Sequence, residues 1–81
     1  MTAKEMFEKL GYEVGDTPYY ERCIRYVAND GYIKREIEFW RDDKIIYNNL
    51  IYGEVQMKGS CPIPIELLKA INKQVEELGW Y

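Results

Sequence analysis

Two stretches of the chain repeat their apolar residues at helical spacing, one at each end. In Pro64–Gly79, Leu68, Ile71, Val75 and Leu78 fall three and four residues apart, which sets them on one stripe of an α-helix. Leu67 widens the stripe, and Glu66, Lys69, Lys73, Glu76 and Glu77 fall mostly outside it. Pro64 suits the first helical position, and Gly79 suits the left-handed residue just past the end. A lone helix of this length is marginal in water, so its stripe needs a surface to cover. At the other end, Thr2-Ala3-Lys4-Glu5 has the spacing of a capping box. Ala3, Met6, Phe7 and Leu10 then recur at three and four, and Gly11 stops the helix. Both helices close on one device, Glu-Lys-Leu-Gly-Tyr at 8–12 and Glu-Glu-Leu-Gly-Trp at 76–80. In each, the glycine can take the left-handed cap and the next aromatic can fold back onto the last turn.

Between them the period changes to two. Glu13 to Pro18 reads as a connector, and Tyr19 to Ala28, rich in aromatic and β-branched residues, as a strand. Asn29-Asp30-Gly31 is a turn, and Tyr32 to Trp40 a second strand. There Ile33, Ile37 and Phe39 alternate against Lys34, Glu36 and Glu38, the pattern of a sheet with one wet face. A two-residue turn at Asp30-Gly31 sets Ala28 opposite Ile33, Ile24 opposite Ile37 and Arg25 opposite Glu36. A three-residue loop sets Arg25 opposite Arg35 and Ile24 opposite Glu36, so the shorter turn is favoured. It leaves Arg22, Tyr26 and Arg35 on the core side, their polar ends reaching the rim. Arg41-Asp42-Asp43-Lys44 is a further turn. Ile45 to Asn48 starts a third strand of open register, with either Ile45 and Tyr47 or Ile46 alone facing inward. Asn48-Asn49 is turn-prone, and Leu50 to Lys58 forms a short fourth strand or an extended return, weakened by Gly53. Residues 59–64 form a proline-stiffened loop. The expectation is an α+β fold: a single α-β-β-β-(β)-α domain over residues 1–81, with a three- to four-stranded antiparallel meander sheet and both helices packed on one face.

Composition narrows the function classes. Hydrophobic residues make up 47% and charged residues 31% of the 81, with a net charge of −3. This is a globular composition without the basic footprint that nucleic acid or an anionic membrane demands. The N-terminus is charged throughout and lacks the apolar centre of a signal peptide, so a cytoplasmic location is expected. Histidine is absent. That removes the commonest general base, the usual partner of a Ser or Cys nucleophile, and the commonest nitrogen ligand for zinc. Asp42 and Asp43 are adjacent in a turn and match no calcium-loop pattern. Cys23 falls on the outer strand face opposite Glu38, whose charge raises a thiol pKa. Cys61 precedes the last helix and reads as a small filler. No phosphate-binding glycine pattern occurs. The reading is therefore no enzyme, no cofactor and no metal.

The unusual abundance is tyrosine, eight residues, beside two Trp and two Phe. Tyr20 and Tyr26 fall on the inward face of the first strand, and Tyr19, Tyr32 and Trp40 on the outward one. Sheet aromatics can stack bases, but such platforms sit in basic grooves, and residues 21–44 carry six basic and six acidic side chains. Tyr, Trp and Arg are also enriched where proteins meet. The predicted partner contact is thus Tyr19, Arg25, Tyr32 and Trp40, serving another protein or a second copy of the chain. A nucleic-acid-binding module is the alternative.

The terminal segments Met1–Glu13 and Glu66–Trp80, about a third of the chain, resemble a group of small uncharacterised proteins from phage and prophage regions of Gram-positive bacteria. The resemblance implies a phage-related cytoplasmic origin, consistent with a phage accessory protein, and brings no activity or functional residues with it.

Overall fold

A computed structural model of the chain describes residues 1–15, 22–52, 55–57 and 62–81. In order these form α1 (Ala3–Lys9), β1 (Glu13–Val14), β2 (Cys23–Asp30), β3 (Ile33–Trp40), β4 (Ile45–Tyr52), β5 (Val55–Met57) and α2 (Ile65–Leu78). The strands make one antiparallel meander in chain order, with three eight-residue strands in the middle and short ones at both edges. The α+β architecture expected from the two periodicities is therefore the observed one.

The sheet has five strands where three or four were expected, and several elements differ from their sequence reading. Glu13 and Val14 leave the connector to pair with Val27 and Tyr26. Asn48-Asn49 does not turn but lies inside β4, opposite Ile37 and Glu36. Their pairing with β3, together with the Asn49 amide donating to Glu38 at 3.4 Å, outweighs their turn preference.

The β2–β3 hairpin closes with Asp30 paired to Ile33, so its loop is Gly31-Tyr32 and not Asp30-Gly31. Gly31 carries φ 65°, as the first loop residue of a type II′ turn requires. The shift from the expected register is two residues, and it keeps every side chain on its expected face. It gains the apolar pairs Ile24–Phe39 and Tyr26–Ile37 across the core side. Arg25 moves opposite Glu38 but still reaches Glu36 diagonally, its Nη2 donating at 2.5 Å.

Both helices cover the face that carries Ile24, Tyr26, Ala28, Ile37 and Phe39. Phe7 and Phe39 have no exposed surface, and each such ring contributes roughly 1.5–3 kcal/mol through burial. Phe7 stacks on Tyr26 with centroids 4.0 Å apart, and Phe39 meets both rings edge-on. The Thr2–Glu5 capping box forms, and the Ala3 N–H donates to Glu77 Oε2 at 2.7 Å, tying α1 to α2. Gly11 and Gly79 take positive φ, and Tyr12 and Trp80 donate back to Phe7 and Val75, the Schellman closure expected at both ends.

The α2 stripe holds except at Leu68: Leu67 and Ile71 are buried and Val75 and Leu78 pack against the core, whereas Leu68 is 40% exposed. Ala70 and Gln74 are buried beside them, and the Gln74 side-chain oxygen accepts a hydrogen bond from the buried Tyr26 hydroxyl. Pro64 is the extended N-cap and Ile65 the first helical residue, one later than expected. Arg22 does not lie over the core. It is exposed in a turn, with Nε 3.8 Å from Asp42. Among the described residues, no helix is long and apolar enough to cross a membrane.

Candidate interaction face

The face away from the helices presents Cys23, Arg25 and Val27 from β2, Lys34, Glu36, Glu38 and Trp40 from β3, and Ile45, Tyr47, Asn49 and Ile51 from β4. It is less wet than the alternation predicts. Glu36 is 8% exposed and Cys23 only 1%. Glu36 is held between two cations, Arg25 and Lys34, with the Lys34 Nζ at 3.0 Å. Burial pushes the Glu36 carboxyl up, but the hydrogen bonds from Arg25 and Lys34 outweigh it and hold it below the usual carboxylate range. The same hydrogen bond raises the Arg25 guanidinium. Burial, and then the nearby Glu38, push the Cys23 thiol up, away from nucleophile chemistry.

The four residues predicted as one contact are not brought together. Tyr19 lies outside the described residues. Tyr32 is 75% exposed, but at the tip of the β2–β3 loop, while Trp40 stands at the far end of the central strand β3. At ~3.3 Å per strand residue the two are separated by roughly 25 Å. Arg25 sits between them and is engaged with Glu36.

Trp40 instead stands beside the start of β4. It pairs with Ile45, and the adjoining Glu38 pairs with Tyr47. Ile45 is 40% and Tyr47 48% exposed. Together with Asp43 and Asn49 these residues line a shallow hollow of about 490 Å³. Sequence reasoning missed Ile45 and Tyr47 because the third-strand register stayed open. The signal was the four-residue turn Arg41–Lys44, which sets Ile45 opposite Trp40 and sends Ile45 and Tyr47 outward, Ile46 inward.

The hollow carries apolar and acidic groups and no basic one. Among the described residues, no group of three or more metal-ligating side chains occurs. Neither protein-family models, nor curated proteins, nor solved structures gave a match to this chain.

Proposed function

We propose that the chain is a non-enzymatic protein–protein interaction module, a phage accessory protein in origin, that self-associates through the β3–β4 end of its outer face. The observation behind this reading is the exposure of Ile45 and Tyr47 beside Trp40 on a sheet face that no described helix covers. A thin two-helix core of this size gains stability from a second copy, and an aromatic with an aliphatic neighbour is the usual centre of such a contact. The rim of Glu38 and Asp43 argues against nucleic acid at this face, because phosphates would meet carboxylates. It also gives self-association a signature. A two-fold axis near the hollow brings like charges of the two copies together, so salt strengthens the dimer by screening them.

Light scattering over a concentration series into the millimolar range, at low and high salt, tests this. The expected result is a monomer–dimer equilibrium that tightens with salt and is lost on Tyr47→Lys and on Ile45→Lys, both exposed positions where the fold should survive. A strict monomer throughout, or a dimer indifferent to both substitutions, refutes the proposal.

A further inference from the structure

We draw no further inference here: the strongest candidate, the cleft of about 420 Å³ between the start of α2 and the inner face of β3 and β4, has only exposed or half-buried polar side chains in Arg35, Asn48 and Glu66, and nothing in the structure shows what covers it.

Discussion

The hydrogen bond from Tyr26 to Gln74 makes the sharpest test of how the core is specified. Both residues are 4% exposed, and the Tyr26 hydroxyl donates to Gln74 Oε1 at 2.5 Å. Tyr26→Phe removes the donor and strands a buried amide oxygen, at a cost of about 1–3 kcal/mol. In a domain of 81 residues that lowers the melting temperature by roughly 5–20 °C. Gln74→Leu strands the phenol instead and should cost a similar amount. The double variant removes both polar atoms, and a matched apolar pair at the same place is nearly neutral. Urea denaturation of the four proteins therefore gives a coupling free energy of about 2–6 kcal/mol in magnitude, the sum of the two single losses. The same pair has an alkaline signature. Burial first, then the charges of Glu77 and Glu8, push the Tyr26 phenol up to about 12 from 10. The neutral phenol is the form the fold favours, so its contribution is intact below pH 10 and is lost as pH rises toward 12. That is two units, worth about 3 kcal/mol in total. Tyr26→Phe should lack this part of the alkaline decline. Additive single variants, or an unchanged decline in Tyr26→Phe, would show that the bond does not hold α2 in register.

Glu36 titrates below the ordinary carboxylate range in the fold, so its contribution is present above that range and is lost as pH falls through its lowered value. Glu36→Gln should flatten acid unfolding and cost about 1–3 kcal/mol at neutral pH, because Arg25 loses its buried partner; urea titration at several pH values measures both. A Cβ at Gly15 would stand 2.7 Å from Val27 Cγ2 and 3.4 Å from Arg25 Cγ. Gly15→Ala should therefore cost about 1–3 kcal/mol, and Val27→Ala in the same chain should restore part of it, as read by thermal melts.

What the sequence disclosed followed from periodicity and end signals. The capping box at Thr2–Glu5 and the two Leu-Gly-aromatic closures need only local backbone chemistry, and they form as read. The sheet faces were legible because a two-residue slip in the hairpin preserves parity, so Ile37 and Phe39 lie inside whichever register is chosen. In α2 the stripe was legible apart from Leu68, but the burial of Gln74 was not, because hydropathy cannot see that Gln74 has a hydroxyl to bond. The clue was Tyr26, a hydroxyl on a core face that had to find a partner. That the predicted contact residues do not cluster was hidden for a related reason. Tyr32 and Trp40 share strand parity but stand at opposite ends of β3, and only the β3–β4 register joins Trp40 to Ile45 and Tyr47.

The uncovered surfaces of β4 trace to the reach of the helices. α1 has seven residues and is about 10 Å long, whereas α2 has fourteen and is about 21 Å long. Their buried partners on the sheet are Tyr26, Ile37 and Phe39, all from β2 and β3. β4 lies one strand, about 4.8 Å, further out. There Ile46 is 37% exposed, and Asn48 and Leu50 are only half-buried. The inner side of β4 is thus a core face that the helices do not finish covering, and the space they leave becomes the cleft beside Arg35. Its outer side carries Ile45 and Tyr47, which no described helix reaches.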